Sequence, residues 1–186
     1  MDTIEAIFSR HSNSNLRPDP VPVELVEQLL SAAVQAPNHF KVRPWRFVVL
    51  TGKARERLGD LFAELLSEAQ PDLPPAGLEK ERAKPLRAPL LIAVGVDRPE
   101  EARVSELENI CAAAAACENI LLAAHALGME GIWRSGAPVT NERVKSFLGL
   151  DPAQHLIAFL YLGYPADVAH VDAERQSFVD RTVWME

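Results

Sequence analysis

Residues 105–136 decide the fold, and they read SELENICAAAAACENILLAAHALGMEGIWRSG. Apolar residues recur in this stretch at three- and four-residue steps, which is the spacing of an amphipathic helix. Five consecutive alanines, Ala112 to Ala116, combine high helix propensity with little side-chain bulk, and no charge falls between Cys111 and Cys117. We therefore predict a buried central helix that ends at Gly128, where the chain must turn left-handed. The segment from Gly131 to Gly136 predicts a sharp turn that presents its side chains.

Shorter apolar runs on both sides of this helix predict the rest of the fold. Strands are expected at residues 47–50, 89–96, 131–133 and 156–163. Helices are expected at residues 2–9, 22–36, 53–68, 80–84 and 140–148, the last of them capped by Thr140. The proline-rich segment 70–77 is expected to be a mobile surface loop. Because helices and strands interleave without a repeat, we predict one α+β domain over residues 1–186, in which helices surround a central mixed or antiparallel sheet of four to five strands.

The composition narrows the range of partners and compartments. The chain of 186 residues has a formal net charge of −7, which argues against nucleic acid as a partner because phosphate binding needs a basic face. No uncharged apolar segment reaches the roughly 18 residues that a membrane span needs. Since Met1-Asp2-Thr3 does not open a signal peptide, we expect a cytoplasmic protein. Cys111 and Cys117 face different directions on one helix, which disfavours a disulfide, and no metal-ligand spacing is present.

Cationic side chains are the main chemical signal in this acidic chain. Because no nucleophile elbow, phosphate loop or dinucleotide fingerprint is present, a bound cofactor would have to supply any reactivity. Arg10 and His11 border a hydroxyl-rich loop, and Arg134 stands alone among apolar neighbours. A phosphate group needs two or three charge-assisted donors of this kind. With the flat rings of Trp45 and Trp133, these cations suit a phosphorylated aromatic cofactor.

The residues alone leave other interpretations open. Arg10 and Ser12 could belong to a solvated loop, and Arg134 could simply pair with a carboxylate. Trp133 could lie half in the core, and His39 could be an ordinary loop histidine. A solvated surface would also explain the remaining cationic cluster, which consists of Lys41, Arg43 and Arg46. The other histidines show no partner pattern and are interpreted as structural: His125, His155 and His170.

Five short segments occur in a fixed order along the chain. They are Arg10-His11-Ser12, Ala36-Pro37-Asn38-His39, Pro44-Trp45-Arg46-Phe47, Gly131-Ile132-Trp133-Arg134-Ser135-Gly136 and Phe159-Leu160-Tyr161-Leu162-Gly163-Tyr164-Pro165. In this order they resemble the FMN-dependent nitroreductase superfamily, and specifically its short YdjA-like branch. The resemblance covers nearly the whole chain.

The resemblance implies an intertwined homodimer with two FMN molecules at the subunit interface. One subunit would contribute Arg10, His11 and Ser12 to the phosphate and ribityl chain. The same subunit would place Trp133, Arg134 and Ser135 near the flavin, and the other subunit would supply Gln35 and His39. The implied activity is hydride transfer from NAD(P)H to flavin N5, and then to a nitroaromatic, quinone or similar small-molecule acceptor, in a ping-pong mechanism. No side chain of the protein is expected to act as a catalytic group.

The C-terminal tail is the part of the chain that is expected to cross to the partner subunit. It is polar overall but carries apolar residues that need a surface to pack on, namely Val171, Phe178, Val179, Val183 and Trp184. A second subunit is the simplest surface to offer.

Two positions depart from the pattern of the family. The chain reads Lys41-Val42-Arg43-Pro44-Trp45 where many relatives carry Asn-x-Gln-Pro-Trp, and Gln35 stands where the short branch has a basic residue. The missing cation would weaken phosphate binding unless Lys41 or Arg43 compensates. Two alternative functions follow: a flavin-binding or storage module without turnover, and a flavin-fragmenting or dehalogenating relative. The second would need a longer lid than residues 70–77 provide.

Overall fold

The computed structural model describes residues 1–167 and 175–186. The α-helices are α1 (Thr3–Ser9), α2 (Val23–Ala33), α3 (Gly52–Ala69), α4 (Pro75–Arg82), α5 (Glu106–Ala126), α6 (Ala137–Thr140) and α7 (Glu142–Phe147). The strands are β1 (Trp45–Leu50), β2 (Leu90–Val96), β3 (Glu130–Arg134) and β4 (His155–Gly163). Short 3-10 turns lie at His39–Lys41, Lys84–Arg87 and Val179–Arg181. The predicted strands and the central helix are confirmed, with ends that move by one or two residues.

The four strands form one sheet in the order β1-β2-β4-β3. Each neighbouring pair is antiparallel, so the sheet is antiparallel rather than mixed. Strand β2 is buried along its whole length, as its continuous apolar sequence predicts. Strand β3 lies at one edge, and its register pairs Ile132 with Tyr161 and Arg134 with Phe159. Since opposite residues of an antiparallel pair share a face, these four side chains leave the sheet on one side.

The two faces of the sheet are covered by different helices. Helices α2 and α5 cover the side that we call the α5 face, where the core includes Leu29, Ile92 and Leu160. Helices α3 and α7 cover the other side, the α3 face, where the core includes Leu91, Phe62 and Phe159. The alanines of α5 let its backbone approach the sheet closely, and Ala113 and Ala116 are fully buried there.

The ends of the helices explain where the chain departs from the predicted bounds. Ser105 caps α5 in a reciprocal arrangement with Glu108, and Gly128 follows the helix with a φ of 77°. The predicted cap of the 140–148 helix is wrong. Thr140 is the last residue of the short α6. The side chain of Asn141 instead accepts hydrogen bonds from the backbone N–H groups at the start of α7. Asn is a strong N-cap because its short amide reaches the free N–H groups of the first turn.

The proline-rich segment 70–77 is shorter as a loop than predicted. Pro75 opens α4 as its first residue, where the missing N–H has no cost because it would have no helical partner. Residues 80–82 of the predicted helical turn at 80–84 therefore form the end of a longer helix, and Lys84 begins the 3-10 turn that follows. The loop itself is confined to residues 70–74.

Helix α5 is also the one described helix that is long and apolar enough to cross a membrane by length and composition. Core helices of folded domains meet the same criterion, and 44% of its most apolar window is buried within the fold. The charges at Glu106, Glu108 and Glu118 interrupt it, so the prediction about uncharged apolar segments is unaffected.

Large apolar side chains remain exposed at both ends of the chain. Helix α1 buries only Ala6, while Ile4, Ile7 and Phe8 are exposed. The C-terminal segment exposes Phe178, Val179, Val183, Trp184 and Met185, and Val171 lies outside the described residues. Apolar side chains exposed together in this way are typical of a surface that packs against another protein.

Candidate functional site

The N-terminal loop runs along the free edge of β3 and places the first group of candidate residues there. Ser12 forms an isolated parallel bridge with Gly131, and the backbone N–H of Asn13 donates to the Gly131 carbonyl at 3.1 Å. A side chain at position 131 would collide with the carbonyl oxygen of Tyr161 on the neighbouring strand. Glycine is therefore required for β3 to be held between β4 and the loop.

Arg10 and His11 are partly buried cations at the start of this loop. The Arg10 Nε lies 3.3 Å from a carboxylate oxygen of Glu118 on α5, but the geometry does not make a hydrogen bond. The Nε2 of His11 lies 3.7 Å from Glu130 and also makes no hydrogen bond. Buried N–H groups usually have a partner. The Arg10 Nε–H therefore has no hydrogen-bond acceptor among the described residues, and Ser12 nearby is exposed.

Neighbouring residues fix the position of this loop. Asn13 is buried and its amide donates to the Glu130 carboxylate. The hydroxyl of Ser9 lies 2.8 Å from Nε2 of His125 on α5, and burial of that imidazole lowers the pKa of His125. The interpretation of His125 as structural is consistent with this contact. Arg175 of the C-terminal segment donates to the Arg10 carbonyl at 2.6 Å, so the tail meets the same loop.

The second group of candidates lines a cavity beyond the end of β3. Trp133, Arg134 and Ser135 border a space of about 320 Å³, together with Phe62, Lys84, Arg87, Pro138, Phe159 and Tyr161. The guanidinium carbon of Arg134 lies 5.7 Å from the centre of the Tyr161 ring. Its Nε is buried without a hydrogen-bond partner. Arg134 makes no ion pair among residues 1–167 and 175–186, so the alternative that it pairs with a carboxylate is not supported there.

The two groups lie at opposite ends of one edge rather than around one cavity. Arg10 precedes Ser12 by two residue steps and Arg134 follows Gly131 by three. At the rise of an extended chain these steps separate the two backbones by about 16 Å. Arg10 turns to α5, whereas Arg134 lies over Tyr161 on the α3 face. A ligand that reaches both must be elongated and must follow the edge of the sheet.

The third group consists of Gln35 and His39, and His39 lies near the other end of α5. The Nε2 of His39 is 3.7 Å from Glu108 in the first turn of α5. Arg10 contacts Glu118, ten residues further along the helix, which is a separation of about 15 Å. The side-chain amide of Gln35 donates to the Ser31 carbonyl at 3.3 Å. Within one chain, the structure therefore separates His39 from Arg10. Gln35 lies closer, because its backbone N–H donates to the Ala32 carbonyl, which also accepts from Asn119, one residue after Glu118.

The loop after His39 adopts an unusual backbone conformation. Phe40, Lys41 and Arg43 all have positive φ values, of 48°, 58° and 51°. Such values are uncommon for residues with a side chain and strain the backbone. Lys41 and Arg43 are exposed at this turn.

Trp45 and Arg46 have structural roles that the sequence did not reveal. Trp45 is buried in the α5-face core, so the expected flat surface for a cofactor ring is not available there. The Arg46 guanidinium binds Asp97 through Nε at 3.0 Å and Nη2 at 2.8 Å, and this carboxylate raises the pKa of Arg46. Of the cationic cluster, Arg46 is therefore ion-paired at the end of the sheet.

Three residues of the cavity were missed by the sequence interpretation. Lys84 and Arg87 belong to a polar stretch that looks like an ordinary solvated turn, and Tyr161 belongs to a strand. Burial raises the pKa of Tyr161 to about 12, although Arg134 and Arg87 act in the opposite direction. One feature of the sequence could have pointed to Tyr161: side chains alternate between the two faces of a strand, so Phe159 and Tyr161 lie on the same face of β4.

An antiparallel sheet with one long central helix and cations along its edge strand agrees with the expected nitroreductase-like fold. The family model described as "Nitroreductase family" matches residues 7–164. Because this match spans most of the chain, the chain belongs to the nitroreductase family and is an enzyme of the oxidoreductase class.

Individual relatives support the predicted YdjA-like branch. The chain is 35% identical over 166 residues to an Escherichia coli K12 protein named "Putative NAD(P)H nitroreductase YdjA", and the match covers 89% of each chain. A nitroreductase-like protein of Bacillus cereus has the same fold, with a TM-score of 0.84 at 24% identity over 100% of this chain and 97% of the other. A nitroreductase of Desulfovibrio desulfuricans, solved in complex with FMN, has a TM-score of 0.77 at 25% identity over 100% and 98% of the two chains.

Proposed function

We propose that this chain is an FMN-dependent NAD(P)H oxidoreductase that reduces a small aromatic acceptor. The observation that carries the proposal is a set of three buried nitrogen atoms without hydrogen-bond partners along the β3 edge, namely Arg10 Nε, His11 Nε2 and Arg134 Nε. Two of them are at one end of the edge and the third is at the other. This spacing fits an elongated ligand that is anionic at one end and has a ring at the other.

Arg10, His11 and Ser12 are the residues that would hold the phosphate and ribityl chain. The guanidinium of Arg10 is held by its ion pair with Glu118 and keeps N–H donors for a phosphate. Ser12 adds an exposed hydroxyl. Charge-assisted hydrogen bonds of this kind are about twice as strong as neutral ones. The Arg175 contact to the Arg10 carbonyl keeps the loop in place and brings a further cation near it.

Trp133, Arg134 and Ser135 would hold the flavin ring. Arg134 is held over the Tyr161 ring by β3, and its free Nε is a donor of fixed position. When bound, FMN would supply hydride transfer from NAD(P)H to an acceptor such as a nitroaromatic or a quinone. NAD(P)H and the acceptor would use the same open flavin face, one after the other. A cation beside the ring stabilises the negative charge that a reduced flavin carries, and so favours reduction.

A homodimer completes this site in our proposal. His39 lies about 15 Å along α5 from the Arg10 loop, so we assign the flavin contact to His39 of the partner subunit and, by the resemblance to the family, a second contact to Gln35 of the partner subunit. The exposed apolar residues of α1 and of the C-terminal segment supply a surface for that partner. We further infer one FMN-binding domain over residues 1–186, a cytoplasmic location, and no nucleic acid, membrane or metal partner. Among the described residues no cluster of metal-ligating side chains occurs.

The test is an absorbance spectrum of the purified protein, followed by anaerobic titration with NADH and with NADPH. We expect a yellow protein that is bleached by at least one of the two. Arg10→Ala removes a charge-assisted bond worth about 1.5–3 kcal/mol, so the affinity for FMN should fall roughly 10- to 100-fold. Arg134→Ala should also lose flavin. Arg17→Ala is the matched control, because this exposed arginine pairs with Asp19 and lies over the Tyr164 ring, and neither residue is a candidate for flavin contact.

Two results would change the assignment. Colourless protein that does not bind added FMN would contradict the proposal as a whole. Yellow protein that oxidises neither NADH nor NADPH with any acceptor would instead identify a flavin-binding or storage module.

A further inference from the structure

The cavity beyond β3, which we call the arginine cavity, has a charge that the proposed flavin contacts do not explain. Its walls carry Lys84, Arg87 and Arg134 within a space of about 320 Å³. An adjoining cavity of about 530 Å³ shares Lys84 with it and adds Glu81. Three cations thus stand against one carboxylate, in a chain whose formal net charge is −7. A local excess of positive charge of this kind attracts anions.

Of the three cations, only Lys84 forms an ion pair with another described residue. Lys84 is paired with Glu81 at 2.5 Å. The guanidinium of Arg87 makes no ion pair or hydrogen bond to any residue that the structure describes, and Arg134 has a buried, unpartnered Nε. Both arginines border the same cavity as the buried Tyr161, and the Arg134 guanidinium carbon lies 5.7 Å from the centre of its ring. Because Arg134 is assigned to the flavin ring, the unpaired guanidinium of Arg87, beside a buried phenol, is the donor for an acidic group.

The other walls of the arginine cavity are aromatic. The rings of Phe62 and Phe159 meet edge to face, with their centres 6.1 Å apart, and the Tyr161 ring lies next to Arg134. Such walls favour a flat apolar ligand, while the arginines favour an anionic one. Its volume is at the lower end of ligand-binding pockets, which span about 300–1,000 Å³. A single-ring ligand fits this space better than a nucleotide does.

We propose that the arginine cavity binds the carboxylate end of an aromatic electron acceptor, so that nitroaromatic carboxylates are preferred to uncharged nitroaromatics. This inference rests on the proposed function, because Trp133, Arg134 and Ser135 also border the cavity. An acceptor held by its carboxylate at Arg87 would direct its ring towards these residues. Arg87 is then a specificity-determining residue and has no part in hydride transfer.

The test compares 4-nitrobenzoate with nitrobenzene as acceptors for the FMN-loaded protein. The ratio of the two kcat/KM values measures the contribution of the carboxylate. Arg87→Gln should lower this ratio about tenfold or more, because it removes a charge-assisted contact. Arg87→Lys should restore part of it. Arg57→Gln is the matched control, since Arg57 on α3 loses the same charge but borders a different cavity.

Calorimetric titration with benzoate, which cannot be reduced, separates this inference from the proposed function. Benzoate should bind the FMN-loaded wild-type protein, and Arg87→Gln should weaken that binding at least about tenfold. If neither acceptor is turned over, the oxidoreductase proposal fails, while Arg87-dependent benzoate binding would still support an anion site.

Three outcomes would overturn the inference. The first is that Arg87→Gln lowers kcat/KM equally for both acceptors. The second is that benzoate does not bind the wild-type protein. The third is that benzoate binds only the protein without FMN, which would make the arginine cavity part of the flavin site.

Discussion

The two faces of the sheet are packed with different kinds of side chain. The core of the α5 face is filled mainly by alanines and aliphatic residues. The α3 face has an apolar core of its own, but near β3 it opens into the arginine cavity with its three cations. A dry, close-packed face provides stability, whereas a face with a polar opening provides binding. Within the proposal above, the acceptor would be recognised on the α3 face, whereas Arg10 and the proposed phosphate contacts lie on the side of α5.

The largest expected effect comes from truncating one residue on each side of β2. Ile92 packs on the α5 face and Leu91 on the α3 face, and both are fully buried. Ile92→Ala should cost about 3–5 kcal/mol of unfolding free energy, because close-packed alanines cannot fill the space. Leu91→Ala should cost less, about 2–3 kcal/mol. Leu91 lies opposite Tyr161, which borders the arginine cavity, and we expect that ring to shift into part of the space left by the truncation.

Urea unfolding at one pH measures both free energies. The two variants serve as controls for each other, since the residues are adjacent on one strand. A greater loss for Leu91→Ala than for Ile92→Ala would show that the α3 face is packed as rigidly as the α5 face.

A smaller effect is expected from the helix caps, one on each face. Ser105→Ala removes the cap of α5, and Asn141→Ala removes the side chain that accepts from Arg143 and Val144 at the start of α7. Each should cost about 1 kcal/mol. Thr140→Ala should cost less than about 0.5 kcal/mol, because Thr140 does not cap α7. Thermal unfolding of the three variants checks this order, and it fails if Thr140→Ala is the most damaging of them.

The smallest effect is a loss of stability on acidification, and it arises mainly around α5. Burial lowers the pKa of His125 below its ordinary value of 6.5. Hydrogen bonds from His155 and from the Ser105 backbone lower the pKa values of Glu106 and Glu108 below 4.5. Groups with lowered pKa values bind fewer protons in the folded state. The free energy of unfolding therefore rises with pH between the folded-state and unfolded-state pKa values of each group, and it falls as the solution is acidified.

Urea midpoints measured from about pH 7 to about pH 4 test this direction, in the range where histidine and carboxylate charges change. His125→Gln should flatten the upper part of the decline, where the imidazole titrates, and leave the lower part in place. A midpoint that rises as the solution becomes more acidic would rule out this account.

The central helix and the sheet were predictable because their signals are local and periodic. The spacing of apolar residues in α5, its alanine run and the two apolar strands β2 and β4 each specify one element. The cap of α7 was missed because Thr140 and Asn141 are adjacent and both are good capping residues. The choice between them depends on where α6 ends, and the sequence does not predict this short helix.

The candidate site was only partly predictable for a different reason. Arg10, His11 and Ser12 do meet β3, but this contact is an isolated bridge between distant parts of the chain. Lys84 and Arg87 lie in a polar turn that only the tertiary fold brings against Arg134. Trp45 was assigned to a cofactor surface because its residue type suits both a core and a binding site. Local sequence does not distinguish these two environments.

The contrast between the two cysteines of α5 has a practical consequence. Cys117 is buried, with a pKa of about 12, while Cys111 is exposed one and a half turns earlier. Only a thiolate reacts readily, so a maleimide dye should attach to Cys111 alone in the unmutated protein. The enzyme thus has a natural attachment point for a single fluorophore on its longest helix. The dependence of the dye's emission on dilution would then report the association of subunits without any change to the sequence.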